Sequence, residues 1–440
     1  MSKVLYLLLL TTLPCFSQPL ILSQRDQAKV IDEILDDRLK NVLPSLMRRE
    51  GIDMWVLISR ENNEDPVLKT MLPATWLAAR RTTMLLIFDR GQEKGLEYLA
   101  VARYDVGKVF RKSWNPETTP DQWAQLAKLI EERNPKKIGI NKALTYGHAD
   151  GLTFNDYERL MDALPKRLYN HITPAEKLSV AWLETRSDKE MILYPQICRI
   201  AHHIIAEGFS DKVIQPGVTT TDDVAWWYRE RIKELKLDTW FHPSVSIQRA
   251  ISEDEISKLP QPLIILPGDL LHVDFGITYL RLNTDTQQHA YVLKAGEKDV
   301  PDYLTNAFKR GNRLQDILTN NIKAGKTGNT ILSESRKQAI DQGITPSIYT
   351  HPIGYHGHGS GTTIGMWDMQ NGVPGSGDYP IHYKTAYSIE LYAAVYVIEW
   401  NKEIRIQLEE DSYYDESGFR YIDGRQTEII PIPRSVSNAK

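Results

Sequence analysis

Leu270–Leu293, LLHVDFGITYLRLNTDTQQHAYVL, is the stretch that decides the fold. Two apolar, β-prone runs flank a midpoint at Tyr279/Leu280, and that pattern predicts a hairpin. Asp274 and Asp285 are symmetric about the midpoint, which predicts cross-strand neighbours on one face with Cβ atoms about 5 Å apart. An unpartnered charge buried in such a run costs several kcal/mol. Two of them repel unless a cation or a shared proton lies between. The hairpin therefore reads as half of a metal site.

Working outward, residues 386–411, AYSIELYAAVYVIEWNKEIRIQLEED, have the same geometry. Two apolar strands surround a turn near Asn401 and Lys402, and Glu390 and Glu409 are symmetric about Glu399/Trp400. Glu410 points to the other face, so register favours Glu409. Between the hairpins, residues 350–365 (THPIGYHGHGSGTTIG) set His351, His356 and His358 among glycines, which let backbone approach closely. Four carboxylates and one neutral imidazole balance two divalent cations. Such a donor set suits Mn2+, Co2+, Fe2+ or Zn2+ better than a thiolate-type site does. Two ions about 3.5–4 Å apart would share a bridging hydroxide as nucleophile and polarise a scissile carbonyl. The opposing reading makes the aspartates turn or ion-pair contacts and the glutamates solvated strand residues. It requires independent coincidences at every one of these positions.

The 440 residues hold two or three domains, with 25% charged and 42% hydrophobic residues, an ordinary globular composition. Net charge is −4 with no basic run, which argues against nucleic acid as a partner. At the N-terminus Lys3 precedes an apolar run from Val4 to Phe16. It predicts a secretory signal over residues 1–17, cleaved after Ser17. The run is too short for the roughly 20 residues a membrane span needs. A secreted or periplasmic protein with no membrane attachment is expected. Cys198 is then the sole cysteine, so no internal disulfide forms.

Residues 18–180 predict an α/β domain: a helix over Asp26–Arg49 closed by Gly51, strands at Met54–Ile58, Thr83–Phe88 and Leu96–Val101, a helix over Trp123–Glu132 and a strand at Lys137–Ile140. It has no phosphate-binding glycine motif and no catalytic cluster. The second domain is expected over 181–434, before a polar tail at 435–440. Within it, Asp188–Phe209 and Asp302–Asn321 each predict a helix that leads through a glycine turn, at Gly217 and Gly325, to another helix. This pattern suggests two related halves facing each other.

These residues resemble the pita-bread metallopeptidases: Xaa-Pro aminopeptidases, prolidases and methionine aminopeptidases, with creatinase as a non-metal relative. The resemblance covers about Trp182 to Ile432, and the first half resembles the creatinase/prolidase-type N-terminal domain. It implies an α+β fold, a pita-bread catalytic domain preceded by an α/β domain. The family's two ligand aspartates fall on Asp274 (DFG) and Asp285 (NTD), and its two ligand glutamates on Glu390 (AYSIEL) and Glu409 (IQLEED). The ligand histidine falls on His358 (GHGSG), with His356 (HGHG) as the alternative. The resemblance further implies a dinuclear, Mn2+-favouring exopeptidase, an Xaa-Pro aminopeptidase or dipeptidase. A short proline-containing peptide would be its substrate, a homodimer its assembly, and Glu390 would also act as general acid/base.

The chain departs from the family pattern at two substrate histidines. WFHPSVSIQRA lacks the one that follows a G-x-N motif, and the one seven residues beyond the ligand falls on Gly365. His242 and His351 could replace them as catalytic residues. The departures motivate two alternatives. One keeps the fold and metals for a lyase or hydrolase of a small non-peptide substrate; the other is a metal-free binding module. His272, by alternation on the Asp274 face, reads as support rather than ligand. Trp240, Phe241 and Tyr387 could receive a proline ring.

Overall fold

The structure, a computed structural model, describes residues 21–433. The expected signal segment and polar tail lie outside the described residues. A six-stranded mixed sheet organises the first part, in the order Arg111–Lys112, Leu96–Val101, Thr82–Asp89, Met54–Arg60, Ile138–Ile140 and Ile172–Pro174. Its central strand, MWVLISR, is apolar through five positions and is covered on both faces, as a strand flanked by helices must be. Among the described residues, the helix Phe154–Ala163 and the strand Ile172–Pro174 have no counterpart in the sequence reading. The strand is three residues long and ends in proline, so it carries no periodicity to read.

The helix Glu176–Glu184 leads into the second part and is buried from Leu178 onward. Beyond it, Glu190 lies fully buried between two arginines: Arg38 Nη1 at 2.7 Å and Arg186 Nη1 at 3.0 Å. Burial alone would raise the Glu190 carboxyl, but the two guanidinium groups outweigh it and hold the group below its ordinary value. Removing either partner would strand a buried charge, so this triad locks the N-terminal helical segment onto the helix Asp188–Gly208.

The second part consists of two similar units. Helices Asp188–Gly208 and Thr221–Glu234 cover a sheet ordered Ile430–Ile432, Thr286–Val292, Leu270–Phe275, Ser244–Gln248. Helices Asp302–Asn321 and Gly328–Asp341 go with a sheet ordered Thr345–Ile348, Leu391–Val397, Lys402–Leu408. The matched glycines agree in conformation as well as position. Gly217 has φ 85° and donates to the Ile265 carbonyl at 2.8 Å; Gly325 has φ 83° and donates to the Ile381 carbonyl at 2.9 Å. Each unit has its own buried apolar cluster.

The two hairpins meet between the units. In the first, Asp274 pairs with Gln287 and Phe275 with Thr286. Its turn is centred on Leu280 and Arg281, with φ 53° and 66°, one residue later than expected. Asp285 therefore lies diagonal to Asp274 rather than opposite it. Moving the centre by one residue moves each pairing by two, so the expected face is kept. In the second hairpin, Leu391 pairs with Leu408 and Ser388 with Asp411. The ladder opens between these pairs, and the common register sets Glu390 across from Glu409.

Candidate metal centre

Three groups of donor atoms overlap, the atoms of each lying within 4.8 Å of one another: Asp274, Asp285 and Glu409; His351, Glu390 and Glu409; Asp285, His351 and His358. Side chains at alternate strand positions share a face. This puts His272 and Asp274 on one strand together with Asp285 and Gln287 on the next. Glu390 and Glu409 arrive from the opened hairpin. Glu390 is fixed by its own carbonyl, which accepts from the Tyr349 amide at 3.0 Å. Glu409 Oε1 accepts from Ser388 Oγ at 2.7 Å. The Asp285 amide lies 3.3 Å from both carboxylate oxygens of buried Asp411.

The electrostatics ask for a cation. Burial first, and the Glu409 charge second, push Asp274, Asp285 and Glu390 well above the usual carboxylate range. Asp274 Oδ1, Asp285 Oδ1 and His351 Nε2 are buried without a hydrogen-bond partner. His351 is the most telling of these. Its Nδ1 lies 3.1 Å from the Pro352 carbonyl, to which it can only donate. The bare Nε2 then faces Glu409 at 3.5 Å and Asp285 at 3.7 Å. A lone pair aimed at two carboxylates is repulsive unless a metal ion or a proton sits between them, and a second nitrogen committed to a carbonyl is how metal-binding imidazoles are oriented. Asp274, Asp285, Glu390, Glu409 and His351 thus form a donor set that fits divalent ions.

The histidines are distributed differently from the sequence reading. His351, expected to handle protons, lies inside two of the three donor groups, because the short strand His351–Pro352 pairs with Tyr387–Ser388 beside Glu390. His358, expected as the ligand, belongs to one group and is exposed at the rim. Its ring stands 4.7 Å from His351 and 5.0 Å from Trp240. His356 turns away from the carboxylates to stack on His148 of the first domain at 3.9 Å. His242 joins none of the donor groups and is exposed, its ring packed 4.9 Å from Trp226 of the helix Thr221–Glu234.

Trp240 closes the rim because Gly357 permits it; a Cβ there would lie 2.1 Å from the indole. Tyr387, expected among the pocket aromatics, is instead fully buried. Two residues of the site went unread. Gln287 donates to both glutamates, and it was legible by alternation with Asp285, though an amide carries no charge to flag it. His148 comes from the first domain with no sequence signal.

The family model of metallopeptidase family M24 matches residues 194–414, half of the chain and the part that carries every donor above. The chain belongs to this family: it is a metallopeptidase of pita-bread fold. No curated protein matches it in sequence. Among solved structures it is similar to an X-Pro aminopeptidase from Thermotoga maritima MSB8, at TM-score 0.61 and 17% identity over 88% of this chain and 99% of the other. It is also similar to an Xaa-Pro dipeptidase from Bacillus anthracis, at TM-score 0.57 and 17% identity over 93% and 100%. A prolidase from Pyrococcus horikoshii OT3 matches at TM-score 0.55 and 15% identity over 92% and 100%. At these identities the likeness is one of fold, and it extends across both parts of the chain.

Proposed function

We propose that the chain is a dinuclear metal-dependent exopeptidase that cleaves short proline-containing peptides, as an Xaa-Pro aminopeptidase or Xaa-Pro dipeptidase. The observation that carries this reading is the bare Nε2 of His351 facing buried Asp285 and Glu409. Asp274, Asp285 and Glu409 would hold one ion; His351, Glu390 and Glu409 would hold the other, with His358 at the rim beside it. Mn2+ is favoured because the donors are mainly carboxylate oxygens. Such ions, when bound, acidify water and polarise a carbonyl.

The chain's own groups do the rest. Glu390 has Oε1 committed to Gln287 at 2.9 Å, which leaves Oε2 to take a proton from the attacking water and return it to the leaving nitrogen. Trp240, Tyr349 and His358 surround the approach, and an aromatic face there suits a proline ring. We assign residues 18–180 to the N-terminal domain and 181–434 to the catalytic domain, in a secreted or periplasmic homodimer.

The test is metal content together with hydrolysis of Xaa-Pro dipeptides and longer Xaa-Pro peptides. Turnover of dipeptides alone makes it a dipeptidase; turnover of longer peptides makes it an aminopeptidase. Full activity in Asp285→Ala would sink the mechanism. A second reading, a lyase or hydrolase of a small non-peptide substrate, is favoured by the one departure that stands, the missing histidine upstream of Asp274; seven residues beyond His351 is His358, so the other position keeps a histidine. Stoichiometric metal with no peptide turnover would select it.

A further inference from the structure

We propose that Gln287 is a positioning residue that sets metal affinity by fixing both glutamates with one amide, and that His272 fixes the amide. The inference rests on the metallopeptidase reading and adds a residue to it. Gln287 Nε2 donates to Glu390 Oε1 at 2.9 Å and to Glu409 Oε2 at 2.7 Å, so both of its hydrogens are used. Its Oε1 lies 2.8 Å from His272 Nε2, and His272 Nδ1 lies 3.3 Å from Ser246 Oγ. A serine hydroxyl can donate to Nδ1, which leaves Nε2–H to donate to the amide oxygen. The opposite orientation of the amide would aim its oxygen at two carboxylate oxygens.

The backbone holds the same residue from the other side. Gln287 N donates to the Glu409 carbonyl at 3.0 Å, and Glu409 N to the Gln287 carbonyl at 3.3 Å. These bonds join the first hairpin to the second across the boundary between the two units. A chain of side chains thus runs from Ser246 on one strand, through His272 and Gln287 on the next two, to the opened hairpin. Glu390 has one oxygen tied to the amide, Glu409 has one tied to the amide and the other to Ser388, and the rigid amide sets the separation between the two side chains. Neighbours that orient ligands in this way are typically worth 10–100-fold in affinity, roughly the scale at stake here.

The experiment is calorimetric titration of the metal-stripped full chain with Mn2+. Gln287→Met keeps the volume and removes the donors, and it is expected to bind about 10–100-fold more weakly than wild type. His272→Leu should weaken binding as well, while His272→Gln, which restores a donor toward Gln287, should recover most of it. A purely structural role would not separate those two variants on metal affinity, and the melting temperature of each metal-free protein checks the fold. If wild type binds Mn2+ and Gln287→Met binds it equally well, the role of Gln287 is overturned. If Gln287→Met does not fold, equal affinity in the two His272 variants overturns it instead. A wild type that takes up no divalent ion overturns the metallopeptidase reading as well.

Discussion

The imidazole of His351 has one nitrogen committed to the Pro352 carbonyl and the other bare among carboxylates, and that division separates its role from that of His358. Loss of His351 removes a donor from two groups; loss of His358 removes one exposed donor from a single group. His351→Ala is therefore expected to lower metal stoichiometry and to cut kcat/KM by on the order of a hundredfold or more, several kcal/mol of lost charge stabilisation. His358→Ala should keep the metal and act chiefly on KM. Metal analysis of the two purified variants, run beside steady-state kinetics, checks this. The carboxylates were legible because a strand has period two and a hairpin has a midpoint. The choice among three histidines was not, since it turns on a two-residue strand, His351–Pro352, inside a loop without periodicity. His242 depends on the fold in a related way. Sequence places it two residues before the strand that pairs with Asp274, but only the fold reveals that Trp226 takes its ring.

The first hairpin turns on Leu280 and Arg281, both at positive φ, where Asn-Gly would be the ordinary choice. This is why its midpoint was misread by one residue: Leu-Arg carries no turn chemistry. The fold keeps these residues for other reasons. Leu280 is buried, and Arg281 Nη1 donates to the Leu72 carbonyl of the first domain at 2.8 Å. Leu280→Gly would relieve about 1–2 kcal/mol of backbone strain, yet forfeit about 1.5–3 kcal/mol of burial and add glycine's own entropic cost. A net loss of about 1–2 kcal/mol is expected, read as a lower urea midpoint at unchanged slope. On the opposite side of the sheet, the helix Asp188–Gly208 is tied down by His202, whose Nε2 lies 2.7 Å from Glu410 and whose Nδ1 lies 3.1 Å from Asp423. Burial alone would lower this imidazole, but the two carboxylates outweigh it and push it up to about 10. A raised folded pKa gives stability that is complete below the unfolded value near 6.5 and is lost as pH rises through about 10. His202→Gln should cost roughly 2–4 kcal/mol at about pH 6, with the gap to wild type closing toward pH 10 in chemical denaturation.

The first domain bears on the centre at several points. Tyr146 Oη donates to the Gly361 carbonyl at 2.8 Å, His148 Nδ1 lies 3.1 Å from Ser360 Oγ, and the His148 ring covers His356. The glycine-dense loop is thereby held by residues from a domain none of whose described residues joins a donor group. The first, α/β part was legible from the alternation of its elements, and the duplication in the second from the matched glycine turns. What joins the parts was not legible, because the helix Glu176–Glu184 is buried almost throughout and shows no amphipathic face. That helix ends on a carboxyl with consequences for the whole molecule. Glu184 is fully buried, with Oε1 accepting from Tyr379 Oη at 3.2 Å and Oε2 unpartnered. Burial, opposed in part by Arg49, pushes it up to about 8. For a carboxyl raised in this way, stability is complete below the ordinary value near 4.5 and declines as pH climbs through about 8, where the unfolded chain has long since ionised. Glutamine keeps the shape and cannot ionise. Glu184→Gln should therefore match wild type near pH 5 and exceed it by roughly 2–4 kcal/mol at about pH 9. Thermal melts of both proteins across that range check the sign; a variant that is less stable at pH 9 would mean that an ionised Glu184 is held by the junction rather than tolerated there.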